Sequence, residues 1–288
     1  MTDRVPAWTL AVGAMTSVQI GAALTTKLFP YVGPVGGLWL RLMFAAAFFL
    51  LVARPPLRQL SWPELRPALL LGLMTGLMTV AFVLAIARIP LGTAVAIEFL
   101  GPLGVAVVRS HDRRGLAWPA IALAGVVLLT EPWTGSIDPL GVMWAALAGV
   151  GWAGYIILTQ HVGDRFSGVQ GLAITMPVAA VVAAVVGIPQ AFTTGGLSWL
   201  VLLACAGIAV LLPIVPFTLE LVALRRLTTA AFGTLMALEP AIATVVGAAL
   251  LTQVPTAIQV SGVALVVVAG AGAERSGHRS PPVGEGTA

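Results

Sequence analysis

Charge is what this chain has least of. Only 9% of its 288 residues are charged, against about 25% in an ordinary soluble domain, and that shortage excludes a water-soluble fold. Cysteine is almost absent as well. With Cys205 alone, no intrachain disulfide can form, and the redox compartment stays open. The histidines are His111, His161 and His278, placed in loops or the tail, and no His/Cys/Asp cluster has metal-ligand spacing. A Gly-x-x-x-x-Gly-Lys sequence is also missing, so the chain cannot drive work by its own ATP hydrolysis. These absences argue against an enzyme, a metal centre and a resident cofactor.

What is present is apolar. Hydrophobic residues make up 59% of the chain, the mean hydropathy is +1.01, and runs of membrane-spanning length follow one another from Trp8 to Ala273. Charges and Pro/Gly turns divide them into ten spans, near residues 8–27, 35–53, 67–87, 92–109, 116–131, 139–160, 169–188, 197–224, 229–251 and 256–273. Arg4 followed by an apolar stretch also fits a signal peptide. The run from Trp8 to Lys27 is long enough to span, however, and the helix count works only if it is kept. Residues 274–288 are polar and rich in Pro and Gly, so a disordered tail is expected there.

The basic residues orient the spans. With the N-terminus inside, cytoplasmic segments hold Arg4, Arg54, Arg58, Arg66, Arg109, Arg113, Arg114, Arg165, Arg225, Arg226, Arg275 and Arg279. Outer segments hold only Lys27 and Arg88, and Arg41 lies within a span. So strong a bias places both termini in the cytoplasm. It also explains the net charge of +4 without any nucleic-acid partner. The halves repeat at an offset of 138 residues: Ala85–Ile89 overlies Ala223–Leu227, and Pro102 overlies Pro240. Five spans is an odd number, so the second unit must be inserted upside down. The expected fold is an all-α membrane protein of ten transmembrane helices, built as two inverted five-helix repeats, 1–136 and 137–273. Such repeats place a binding site between the halves near the midplane and permit alternating access.

Four ionisable groups stand inside apolar spans: Arg41, Glu98, Glu220 and Glu239. Each costs about 2.5–3.5 kcal/mol at a helix centre on insertion scales, and such groups mark substrate or ion pathways. Residues 94, 98, 102 and 106 share one helical face, small except at Glu98. Pro102 cannot donate to the carbonyl of Glu98, so a carboxylate and a freed carbonyl sit on one turn, suited to an ammonium group or a proton. The plainer reading is a kinked packing helix with a neutral glutamic acid. Glu239 repeats the theme with Pro240, and lies about 10 residues from the inner end, roughly 15 Å deep at 1.5 Å per residue. A carboxylate at that depth suits a proton carrier.

Arg41 and Glu98 are each about seven residues from the outer ends of their spans, so an ion pair between them is possible. The competing reading is an arginine that binds a substrate carboxylate bidentately. Glu220 stands near Arg225 and Arg226, which a helix-end salt bridge explains. Pro213 and Pro216 interrupt span eight and offer a hinge, as Pro102 and Pro240 do in theirs. Gln19 in span one, and Trp152 with Tyr155 in span six, are positioned to line a central cavity, although membrane aromatics more often serve as packing groups or interface anchors.

The segments Ile89-Pro-Leu-Gly-Thr-Ala-Val-Ala-Ile-Glu98-Phe-Leu-Gly-Pro102, Phe217-Thr-Leu-Glu220 and Phe232-Gly-Thr-Leu-Met-Ala-Leu-Glu239-Pro240 resemble the EamA-type repeats of the drug/metabolite transporter superfamily. Within it they are most similar to the inner-membrane threonine and homoserine exporters, a likeness that Leu28-Phe-Pro, Leu40-Arg41-Leu and Trp152-Ala-Gly-Tyr155 share and that extends over roughly 10–275. The resemblance implies a ten-helix efflux carrier of the bacterial inner membrane, exporting small neutral amino acids against proton entry. Its partners would be a small-molecule substrate, protons and membrane lipid. On that reading Arg41 holds the substrate carboxylate and Glu98 or Glu239 the ammonium group, with one carboxylate, Glu239 first, exchanging the ligand for a proton. Two alternatives stay open: an exporter of hydrophobic cations stacked on Trp39, Trp152 and Tyr155, and a membrane scaffold whose charges only pin helices.

Overall fold

The computed structural model describes residues 6–53, 62–109, 117–163, 169–216, 219 and 235–276. Among these every regular element is helical. In chain order they are α1 (Ala7–Lys27), the single turn α2 (Phe29–Val32), α3 (Pro34–Ala53), α4 (Trp62–Ile86), α5 (Leu91–Glu98), α6 (Leu100–Arg109), α7 (Ala117–Thr130), α8 (Pro139–Gly163), α9 (Val169–Thr193), α10 (Trp199–Ala209), α11 (Glu239–Leu251) and α12 (Ala257–Ser276). Five of them are long and apolar enough to cross a membrane: α1, α3, α4, α8 and α9. Five further apolar segments are shorter: α5 with α6, α7, α10 with its continuation, α11 and α12.

Proline chemistry accounts for most of the departures from the expected boundaries. Span four is two helices, α5 ending at Glu98 and α6 starting at Leu100, because Pro102 has no N–H to return to the Glu98 carbonyl. Helix α4 starts earlier than the apolar run, at Trp62, with Pro63 in its first turn, where a missing N–H costs nothing. Helix α9 runs through Pro189 to Thr193. After α10 the chain leaves helical geometry at Leu212 (φ −156°, ψ 106°), directly before Pro213. Helix α12 continues to Ser276, so the first three residues assigned to the tail, Glu274, Arg275 and Ser276, are helical, with no Pro or Gly among them. Glu220, Arg225, Arg226, the start of span nine and the rest of the tail lie outside the described residues.

Three spans pack on the span five further along: α3 on α9, α5 on α11 and α7 on α12. Three further couples of contacts match between the halves. Helix α4 meets α8 as α1 meets α10 and the turn after it; α4 meets α9 as α10 meets α3; α6 meets α8 as α1 meets α11. A single core of mostly Ala, Val and Leu runs through both halves, including Ala22, Leu38, Ala94, Ala145, Ala179 and Ala243. Small buried residues let backbones approach closely, as membrane helices require.

Exposed aromatics stand near both ends of the bundle. Trp8 and Trp62 open α1 and α4, while Tyr31, Trp133 and Trp199 lie at the opposite end. Two such girdles are the interface anchors of a spanning bundle. The second end, here the short-loop end, carries the connections 28–33, 87–90, 131–138, 194–198 and 252–256. There Arg88 of the first half pairs with Asp138 of the second at 2.8 Å. Asp138 also accepts from the Leu140 N–H at 2.8 Å, starting α8. The hydrogen bond from Arg88, and then that from Leu140, hold its carboxyl below the usual aspartate range.

Candidate functional site

A chamber of about 420 Å³ lies between the halves. Every side chain selected from the sequence as substrate-binding reaches its wall: Gln19 from α1, Arg41 from α3, Glu98 from α5, Trp152 and Tyr155 from α8, and Glu239 from α11. Of the hinge prolines, Pro102, Pro213 and Pro216 also line it, whereas Pro240 is packed away behind it.

Three of the buried charges meet here. Arg41 is 5% exposed, Glu98 8% and Glu239 5%. The Arg41–Glu98 ion pair that similar depth makes possible does not form: among the described residues the ion pair is Arg88–Asp138. The reason is direction. The Arg41 side chain turns toward α1, where Nη1 donates to Thr25 Oγ1 at 3.3 Å, and its Nε has no hydrogen-bond partner. Thr25 in turn donates to the Gly21 carbonyl at 2.7 Å, so its hydroxyl oxygen is held ready to accept from the guanidinium. Glu98 is instead within electrostatic range of Glu239. One cavity is therefore lined by Arg41 and by two glutamates, with no contact between Arg41 and Glu98.

The break after Glu98 positions this carboxylate. Its side chain reaches the chamber, but the carbonyl that Pro102 releases does not. That carbonyl lies against Gly149 of α8, where a Cβ would stand 2.9 Å from the Glu98 oxygen. A Cβ on Gly101 would likewise run into the Gly149 carbonyl. Two glycines thus bring α6 and α8 into backbone contact, and the expected carboxylate-plus-carbonyl ammonium site reduces to the carboxylate. On the cavity side of the same seam, Phe99 and Trp152 meet edge to face at 6.3 Å and 72°.

Several wall residues escaped the sequence reading. Thr75, Met78, Thr79 and Phe82 of α4, Phe99, and Met176 of α9 all face the chamber. The signal was the pair Thr75 and Thr79, one turn apart in an otherwise apolar span. Their hydroxyls donate to the carbonyls of Leu71 (2.7 Å) and Thr75 (2.8 Å), which satisfies the donors and leaves oxygen lone pairs. Gln19 has a buried Oε1 with no partner, and such a group costs about 1–3 kcal/mol until a donor arrives. Trp39 does not face the chamber; it packs on α9 at Gly187.

A helical membrane bundle that gathers Arg41, Glu98 and Glu239 around a chamber between its halves has the build of a carrier of small polar solutes. The sequence comparisons agree: the chain belongs to the EamA-like transporter family, whose pattern matches residues 139–272. It is 34% identical over 290 residues to the threonine/homoserine exporter RhtA of Salmonella typhimurium strain LT2, covering 98% of this chain and 97% of the relative. The exporter of the same name from Escherichia coli K12 is 33% identical over 277 residues, 93% and 92% of the two chains. A protein of known crystal structure superposes with a TM-score of 0.61 at 18% identity, over 93% of this chain and 96% of the other. That likeness carries the fold alone. The protein is a multi-pass membrane transporter and not an enzyme.

Proposed function

We propose that this protein exports small neutral amino acids of the threonine and homoserine kind across the bacterial inner membrane, coupled to proton entry, by alternating access. The observation that carries the reading is the chamber's charge arrangement. A zwitterion has a carboxylate and an ammonium group a few bonds apart, and the wall offers Arg41 to the first and Glu98 with Glu239 to the second. The names of the relatives point to the same substrates. Two carboxylates in range of each other repel when both are charged, and either an ammonium group or a proton relieves that repulsion. Exchange of one for the other on the same pair is the coupling step, with Glu239 the proton carrier.

The matched helix pairings support two inverted repeats, 1–136 and 137–273, each contributing five of ten spans. With both termini cytoplasmic, as the arginine distribution requires, the short-loop end faces outward. Pro102, Pro213, Pro216 and Pro240 then serve as flexure points between inward-open and outward-open forms.

The test is efflux from liposomes loaded with labelled threonine or homoserine under an imposed proton gradient. Saturable, gradient-dependent efflux supports the reading; its absence from folded protein rejects these substrates. A second reading, export of hydrophobic cations, draws on Phe82, Phe99 and Trp152 in the wall. It leaves Arg41 opposing the ligand. Protection of cells against toxic dyes, without protection against amino-acid analogues, would select it.

A further inference from the structure

Helix α3 carries Arg41 and α5 carries Glu98, and neither helix caps its own N-terminus. The first N–H groups of a helix have no partner within it, and a Ser, Thr, Asp or Asn placed just before the helix usually supplies one. Gly33 precedes α3 and Pro90 precedes α5, and neither side chain can accept a hydrogen bond. The acceptors come from the other half of the molecule. Gln190, near the end of α9, accepts through Oε1 from the N–H of Val35 at 2.7 Å and of Gly36 at 3.0 Å. Gln253, just past α11, accepts through Oε1 from the N–H of Leu91 at 2.9 Å.

The local sequence accommodates both glutamines. Gly33 has φ 71°, and a side chain there would collide with the Gln190 amide. Gly247 leaves Gln253 its place, since a Cβ would stand 3.0 Å from the glutamine oxygen. Both contacts lie at the short-loop end, and one turn beyond Gln190 the Thr194 hydroxyl donates to the Tyr31 carbonyl at 2.6 Å. The chamber lies deeper, on the far side of these caps.

We infer that Gln190 and Gln253 are the outer gate of the transporter, latching α3 and α5 to the opposite half when the chamber is closed to the outside. This rests on the alternating-access reading and extends it. When the halves separate at the short-loop end, each cap is broken, and the two helices released are those that hold the ligand's charged partners. Occupancy of Arg41 and Glu98 is thereby tied mechanically to the gate. Removing an acceptor shifts the population toward the outward-open form.

The chain's single cysteine makes the test direct. In a Cys205→Ser background, Phe82→Cys places a thiol on the chamber wall near the outer end of α4. The protein in oriented proteoliposomes is labelled from outside with a membrane-impermeant thiol reagent. Gln190→Ala and Gln253→Ala should each speed labelling roughly five- to tenfold, the scale of one or two lost hydrogen bonds. Gln190→Glu and Gln253→Glu keep an acceptor and should label at the parent rate. Unchanged rates in the alanine variants, or equal acceleration in alanine and glutamate variants, would overturn the inference. The parent protein separately tests the transport reading: if threonine and homoserine leave its labelling rate unchanged from either side, alternating access with these substrates fails, whatever the glutamines do.

Discussion

Glu98 is the last residue of α5 and Glu239 the first of α11, and these packed helices present both carboxylates to one chamber. Neither end is a surface end; each arises where a proline interrupts the backbone ladder beside the carboxylate. Helix breaks are costly in a membrane unless the freed groups are buried in protein or line a cavity, and the freed Glu98 carbonyl is buried against Gly149.

The first prediction separates the two carboxylates. Glu239→Gln should abolish efflux driven by a proton gradient, by about tenfold or more, while retaining exchange of labelled for unlabelled amino acid at equal pH. Glu98→Gln should weaken substrate binding and slow both modes. Efflux and exchange are measured on the same proteoliposomes. Full gradient-driven efflux by Glu239→Gln would remove this residue from the coupling step.

Arg41 is tested by subtracting charge from the ligand as well as from the protein. Hydrogen bonds to charged groups contribute about 1.5–3 kcal/mol, so Arg41→Ala should weaken threonine binding roughly ten- to hundredfold. Arg41→Lys should recover only part of this, since a lysine cannot present the planar fork. The amine that lacks the carboxylate should bind parent and variant alike. Equal losses for the amino acid and the amine would instead assign Arg41 a structural role on Thr25.

How far the sequence carried the site depends on which physical property each residue expressed. Span boundaries such as Pro34–Ala53 and Ala117–Thr130 followed from apolar runs ending in Pro, Gly and Arg. Arg41, Glu98 and Glu239 announced themselves by cost, because a charge is conspicuous in lipid. Phe82, Phe99 and Met176 did not, since a membrane helix is apolar on its lipid face as well as its inner face and carries little facial contrast. Whether Arg41 and Glu98 pair was left open for a related reason. Counting residues fixes depth, and the two are at similar depth, but not direction around the bundle, where Thr25 proved the partner. Gln190 and Gln253 were illegible because each caps a helix 154 or more positions away.

A third prediction concerns the seam between α6 and α8. Gly149→Ala places a methyl 2.9 Å from the Glu98 carbonyl oxygen and 3.4 Å from its Cα, which should separate the helices. Overpacking of this kind costs about 1–3 kcal/mol, read as a fall in Tm in detergent, and it should also displace Glu98 and lower substrate affinity. Gly207→Ala in α10 is the control. Nothing lies within 4 Å of the added methyl, and relief of glycine's helix penalty should leave stability equal or higher. Comparable losses in both variants would mean that glycine is needed for flexibility and not for the close contact.

The Arg88–Asp138 bridge yields a prediction about pH. The folded-state pKa of Asp138 is depressed by Arg88 and by the Leu140 N–H. Its contribution to stability is therefore complete above the unfolded-state value, near 3.8, and is lost as pH falls through the lower folded value. Both partners are partly exposed, so the effect is small. Parent and Asp138→Asn should differ in Tm by a constant amount from pH 8 to about pH 5. Below about pH 4 that difference should shrink as the parent's carboxylate takes up its proton. The same variant should sharpen the comparison with the chamber carboxylates: Asp138 joins the halves outside the membrane span, so its loss should lower Tm without altering the proton dependence of efflux. A changed proton dependence in Asp138→Asn would move part of the coupling from the chamber carboxylates to this surface pair.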